Sequence, residues 1–94
     1  MTTTSISGAS VVRQAERTAS RVIDGKAVVV VIDHQRLHTL NPVATRIWEL
    51  ADGRTLGEIV DRIVQEFEVT REDAERDAIA LIDELARLGA VELA

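Results

Sequence analysis

The sequence predicts an α+β fold in which a three-stranded antiparallel sheet is followed by three helices. A run of mainly β-branched residues, Ala27–Ile32, follows the dipeptide Asp24-Gly25, which is a strong signal for a two-residue hairpin turn. Leu40–Gly53 contains both a helix start and a helix stop. Two further capping motifs begin at Thr55 and Thr70, and apolar residues at helical spacing follow each of them.

Length and composition restrict the possible functions. The 94 residues form one small domain, and a single Trp, a single Phe and no Tyr leave an aliphatic core. The absence of Cys excludes disulfides, thiolate metal sites and a Cys nucleophile. The N-terminus lacks the pattern of a signal peptide, and no apolar run approaches the ~18 residues of a membrane span, so we expect a cytoplasmic protein without membrane association.

Three strands are predicted over Ala19–Ile23, Ala27–Ile32 and Arg36–Leu40, and the last of them lies at the edge of the sheet. The preceding residues show no clear period. Residues 1–17 are therefore predicted to form a flexible N-terminal tail, and residues 18–94 to form the folded domain.

The first helix has a clear start and end. Asn41 is a good N-cap, and Pro42 suits the first helical position because its φ is already fixed. Gly53 ends the helix because it adopts positive φ without a steric clash. We expect Trp48, the largest apolar side chain of the sequence, to join this helix to the strands before it and the helices after it.

The last helix, predicted over Arg71–Leu88, has an unusually wide apolar arc. Its core stripe consists of Ala74, Ala78, Leu81, Leu85 and Leu88, with Ile79, Ile82 and Ala86 beside it. Together they cover about half of the circumference at ~100° per residue. Two interpretations remain open: the additional residues pack on the sheet, or they line a groove that receives a partner.

No catalytic or cofactor-binding constellation is found. His34 and His38 lie in a turn and a strand, and no third ligand accompanies them, so a metal site is not expected. The acidic residues at the start of the last helix complement the helix dipole. Neither an enzyme nor a cofactor is therefore expected.

A sheet with three short helices is typical of the winged helix-turn-helix, a fold best known from DNA-binding proteins. The charge distribution disfavours that function here. Residues 41–94 carry six basic and thirteen acidic residues, and the last helix has a net charge of −3. An acidic helical half repels a phosphate backbone, so no nucleic-acid partner is expected.

An ordered set of residues resembles the PqqD family over residues 18–93. The pattern consists of Leu40-Asn41, Ile47-Trp48, Asp52-Gly53, Thr55 and Glu58-Ile59-Val60, followed by Asp77, Leu81, Leu85, Leu88-Gly89 and Val91-Glu92. The domain of that family is the precursor-peptide recognition element of pathways that modify ribosomally made peptides. In the namesake pathway, PQQ biosynthesis, the modifying enzyme is a radical SAM protein.

The resemblance implies a winged helix-turn-helix that is a non-catalytic peptide chaperone. It would bind the leader of a precursor peptide and present it to a modifying enzyme. The leader would pair with the third strand and pack against the third helix. Carried onto this sequence, the peptide-binding residues are Arg36, Leu37, His38, Thr39, Ile79, Ile82, Asp83 and Ala86.

The edge strand agrees with this interpretation on physical grounds, because unpaired N–H and C=O groups can accept an extended peptide as a further strand. Two alternatives remain. One is a DNA-binding regulator. The other is a structural subunit that binds only a partner protein, for example as a homodimer through the exposed strand.

Overall fold

The computed structural model describes residues 6–94, which form two three-stranded antiparallel sheets and three helices. The strands and helices in chain order are β1 Val11–Gln14, β2 Thr18–Ile23, β3 Lys26–Val31, β4 Arg36–Thr39, α1 Pro42–Leu50, β5 Asp52–Thr55, α2 Leu56–Glu66, α3 Arg71–Arg87 and β6 Val91–Leu93. None of the helices in this part of the chain is long and apolar enough to cross a membrane.

Strands β2, β3 and β4 form an antiparallel meander in that order, so β4 lies at an edge. Asp24 and Gly25 join β2 to β3 with φ values of 54° and 78°, as a type I′ turn requires. The predicted α+β arrangement of a three-stranded antiparallel sheet followed by three helices is confirmed.

The second sheet corrects the prediction of a flexible tail over residues 1–17. Val11–Gln14 form β1, which lies between β5 and β6, and the Val12 side chain is fully buried. A four-residue strand carries too short a pattern to be read locally, and its partners lie far away in the sequence. Residues 1–5 of the predicted tail lie outside the described residues.

Helix α1 begins at its predicted cap but ends earlier than predicted. Its last residue is Leu50 and its C-cap is Ala51, whereas Gly53, which was predicted to end it, lies in β5 with a φ of 106°. The Ala44 N–H donates to Asn41 Oδ1 at 2.8 Å, and Pro42 occupies the first turn. Trp48 is only 2% exposed and belongs to the common hydrophobic core. Its backbone carbonyl accepts a hydrogen bond from Gln14 Nε2 at 2.8 Å, which connects α1 to β1.

Helices α2 and α3 are capped by the two predicted motifs. Glu58 N–H donates to Thr55 Oγ1 at 3.2 Å, and Thr55 N–H donates to Glu58 Oε1 at 2.9 Å. The Thr55 N–H, and to a lesser extent the Thr55 hydroxyl, donate to the Glu58 carboxylate and lower its pKa because they stabilise the ionised form. At α3, Asp73 N–H donates to Thr70 Oγ1 at 3.1 Å.

A buried hydroxyl group connects the meander to α1. Thr45 is 4% exposed, and its Oγ1 accepts a hydrogen bond from Ala27 N–H at 2.7 Å. The same hydroxyl donates to the Leu40 carbonyl at 3.3 Å. Thr45 therefore fixes the end of β4 relative to the first helix.

We expect Thr45→Val to destabilise the fold by about 1–3 kcal/mol, because the buried Ala27 N–H loses its acceptor while the side-chain volume is preserved. Urea denaturation measures the change. Thr45→Ser keeps the hydroxyl group and should restore much of this hydrogen-bond contribution. If Thr45→Val were as stable as the wild type, the hydrogen bond would not contribute to stability.

Candidate functional site

The outer edge of β4 presents backbone groups that the sheet leaves unused. Leu40 N–H donates to the Ala27 carbonyl at 2.8 Å, which fixes the register of the β3–β4 ladder. Because ladder bonds alternate in antiparallel pairs, Arg36 and His38 also direct their backbone groups toward β3. Leu37 and Thr39 then direct theirs away from the sheet, where no strand of the described residues pairs with β4.

The side chains of β4 alternate between the two faces of the meander. His38 lies opposite the fully buried Val29 and therefore points to the helix side. Its Nε2 atom is buried and has no hydrogen-bond partner among residues 6–94. Leu37 and Thr39 lie on the other face, where Leu37 is 64% exposed. The predicted strand residues therefore form a free edge of the sheet. On the face away from the helices, this strand carries the apolar side chain of Leu37 and the polar side chain of Thr39.

The predicted residues of α3 differ in how far the core covers them. Ile82 is fully buried in the core, so its predicted position in a groove is corrected. Ile79 and Ala86 are half-buried and pack against the same core. Asp83 is half-buried and forms an ion pair with Arg87 at 3.0 Å. Packing within the domain therefore uses much of the wide apolar arc.

A cleft opens on the other flank of α3, where it faces α1, with a volume of about 360 Å³. Its apolar lining includes Val43, Ala44, Ile47, Ile63, Val69 and Leu81. At ~100° per residue, Leu81 lies ~160° from Ile79 around the helix, so the two side chains occupy different flanks. Leu81 is half-buried rather than part of the closed core, to which its spacing had assigned it.

The cleft adjoins the end of β4. Asn41, which lines the cleft, follows Leu40 directly in the sequence. At the other end of β4, a Cβ atom placed on Gly89 would lie 4.0 Å from Nε2 of His34 in the β3–β4 turn. The start of β4 therefore lies near the C-terminal end of α3, and its end lies near the cleft.

The polar lining of the cleft is acidic. Asp77 and Glu84 lie on it, both on α3 and both exposed, and no Lys or Arg in the described part of the chain belongs to the lining. Asp77 has only a loose contact with Arg76, whose Nε lies 4.0 Å from its Oδ1. The mouth of the cleft therefore favours a cationic group.

The position of α1 beside the cleft is fixed by an ion pair with α2. Arg46 Nε donates to Glu66 Oε1 at 2.8 Å, and Arg46 Nη2 donates to Glu66 Oε2 at 3.0 Å. These hydrogen bonds lower the pKa of Glu66 and raise that of Arg46. The two-point contact restricts rotation between the helices.

The described residues contain no group of three His, Asp or Glu side chains placed to hold a metal ion. His34 and His38, which are four residues apart, therefore lack a third ligand there.

Comparison with known proteins places the chain in a family. The model of the PqqD family, described as coenzyme PQQ synthesis protein D, matches residues 26–91. The chain belongs to the PqqD family. The predicted resemblance is thereby confirmed, and the match includes β3, β4 and all three helices. A search of curated proteins found no match.

Three solved structures resemble this PqqD-family protein. TbiB1 in complex with the TbiA(beta) leader peptide is 31% identical, with a TM-score of 0.79. The aligned region covers 85% of this chain and 94% of the TbiB1 chain. Lasso peptide synthetase B1 complexed with the leader peptide is 28% identical, with a TM-score of 0.74. Its alignment covers 86% of this chain and 96% of the synthetase B1 chain.

The third structure is the PqqD truncation of Methylobacterium extorquens PqqCD, described as a functional and stand-alone recognition element for ribosomally synthesized and post-translationally modified peptides. It is 24% identical, has a TM-score of 0.77 and covers 94% of this chain and 95% of its own. At this identity the likeness establishes the fold alone.

Proposed function

We propose that this PqqD-family protein is a non-catalytic recognition element that binds the leader of a ribosomally made precursor peptide and presents it to a modifying enzyme. The observation that carries the proposal is the free edge of β4 beside an open apolar cleft. Two structures that are 31% and 28% identical were determined with leader peptides, which supports the same class of ligand.

The leader would bind as a fourth strand of the meander. The outward N–H and C=O groups of Leu37 and Thr39 offer two donors and two acceptors, and such main-chain bonds tolerate many sequences. Alternate side chains of the added strand would face α3, and the others would continue the outer face beside Leu37. Of the predicted residues, Arg36, Leu37, His38 and Thr39 thus remain in the proposed site.

The cleft would provide a side-chain pocket for the leader, and the predicted contacts of Ile79, Asp83 and Ala86 would lie on the other flank of α3. If a leader buried ~400 Å² of apolar surface in the cleft and along β4, the hydrophobic gain would be ~10 kcal/mol before ordering and association costs. Those costs remove much of the gain, so affinities between micromolar and nanomolar are expected.

The modifying enzyme would be a separate protein of the radical SAM or a similar class, and the complex would act in the cytoplasm. A homodimer formed through β4 would occupy the same backbone groups as the leader. Dimerisation and leader binding would therefore compete. DNA binding has only the fold in its favour, since α3 carries a net charge of −3.

Proline substitutions on the two edges of the meander test the proposal. The register directs the N–H of Thr39 outward on β4 and that of Ser20 outward on β2, so Pro at either position removes a donor that the sheet does not use. We expect Thr39→Pro to weaken peptide binding about tenfold and Ser20→Pro to change it less than about twofold.

The peptides for this test come from a displayed library of random 20-residue sequences selected on the wild-type protein, and fluorescence anisotropy measures their affinity. Circular dichroism checks that both variants are folded. A library that yields no binder, or equal losses in the two variants, would contradict strand addition at β4.

A further inference from the structure

We propose that the cleft between α1 and α3 selects leaders in which a large apolar side chain is flanked by lysine or arginine. This inference rests on the proposed function and specifies the substrate class of the same site. It follows from the shape, charge and position of the cleft.

The cleft is large enough for one bulky side chain. Its volume of about 360 Å³ is the share of about twelve water molecules in the liquid. Val43, Ile47 and Leu81 provide an apolar wall from both helices. An apolar anchor that enters this space releases water and contacts both helices, whereas a polar side chain would find few polar side chains in the described lining, namely Asn41, Asp77 and Glu84.

The charges lie along α3 on both sides of Leu81. Asp77 and Glu84 are seven residues apart, which is ~10 Å along a helix, and both belong to the lining. An extended peptide advances ~3.3 Å per residue, so ~10 Å corresponds to about three residues. Because alternate side chains of a strand face opposite sides, an anchor that faces α3 shares that face with the residues two positions before and after it. Basic residues at those two positions are ~13 Å apart, and their long side chains would reach the two carboxylates.

The position of the cleft favours a leader side chain as the occupant over a separate small molecule. Asn41 lines the cleft and directly follows Leu40, whose N–H donates to the Ala27 carbonyl of β3 just beyond the end of β4. A chain paired with β4 therefore leads directly to the mouth of the cleft. Continuity with the free edge and complementarity of charge thus point to the same ligand.

A charge-reversed variant tests whether the two carboxylates of the cleft select basic residues in the leader. The random library is selected separately on the wild type and on Asp77→Lys/Glu84→Lys. We expect wild-type binders to be enriched in Lys and Arg around an apolar residue, and binders of the variant to be enriched in Asp and Glu there. Individual wild-type binders should lose about 3- to 10-fold affinity for the variant at low salt, and less at high salt.

The matched control is Glu72→Lys/Glu75→Lys, which changes the net charge of the protein by the same amount. Both residues are exposed on α3, and they lie ~140–160° around the helix from Asp77. This variant should select the same peptides as the wild type. Equal effects of the two double variants would mean that only the overall charge matters, and this would overturn the proposal.

Filling the cleft tests the apolar part. Ala80 lines the cleft and is exposed, so Ala80→Phe adds volume there without removing a core side chain. We expect Ala80→Phe to weaken a binder about tenfold and to have little effect on the same peptide with its anchor replaced by Ala. Equal losses for both peptides would contradict the assignment of the anchor to the cleft.

The outcomes distinguish this inference from the proposed function. Peptides that bind with sensitivity to Thr39→Pro, but without basic enrichment and without a response to the Asp77 and Glu84 reversal, would overturn the cleft specificity alone. Absence of any binding sensitive to Thr39→Pro would overturn the proposed function itself.

Discussion

Removing β1 is expected to unfold the domain, and Val12→Asp should act almost as strongly as a truncation that begins at Ala15. Val12 is fully buried, and β1 lies between β5 and β6. A fully buried Val contributes about 1.5–3 kcal/mol, and an unpaired buried carboxylate adds a penalty of several kcal/mol. The total, about 5 kcal/mol or more, approaches the entire stability of a small domain.

The exposed neighbour provides the control for this prediction. Arg13 points to solvent on the same strand, and Arg13→Asp should remain folded. Circular dichroism and urea denaturation compare the two variants and the truncated chain. A truncation from Ala15 that unfolds cooperatively with wild-type stability would show that β1 is dispensable.

Trp48→Ala should lower the free energy of unfolding by about 3–5 kcal/mol. Trp48 is 2% exposed, and it is the largest of the fully buried side chains, so its removal leaves a large cavity in the core. Thermal and urea denaturation measure the loss. Glu49→Ala, at the exposed next position of α1, should change stability by no more than about 0.5 kcal/mol.

Trp48 does not line the cleft, so the variant also separates stability from binding. At temperatures where Trp48→Ala remains folded, its affinity for a selected peptide should stay close to that of the wild type. A large loss of affinity in the folded variant would mean that the core and the cleft are coupled.

The local signals of the sequence predicted much of the fold. The helix caps Asn41, Thr55 and Thr70 and the turn at Asp24-Gly25 are formed by neighbouring residues, and each of them lies where the sequence indicated. The second sheet is different because its pairs join residues 11–14 to residues 52–55 and 91–93. No pattern within one short segment reports such a pairing.

The candidate site was predictable to a similar extent. The edge position of β4 followed from the number and order of the strands in the meander. Which flank of α3 stays open could not be predicted from the sequence. Helical spacing shows how wide an apolar arc is, but it does not show which side of the helix the other elements cover. Ile82 is covered and Leu81 is half-open, although both are aliphatic and adjacent in the sequence.

The place of β1 between β5 and β6 also sets an order of events when the protein is synthesised. The meander needs only neighbouring segments and can form early, because closing short loops costs little entropy. Strand β1 leaves the ribosome before either of its partners, and one of them is β6. Until Leu93 has emerged, the nascent chain carries a hydrophobic strand without its full set of neighbours, which is a form prone to aggregation and accessible to chaperones.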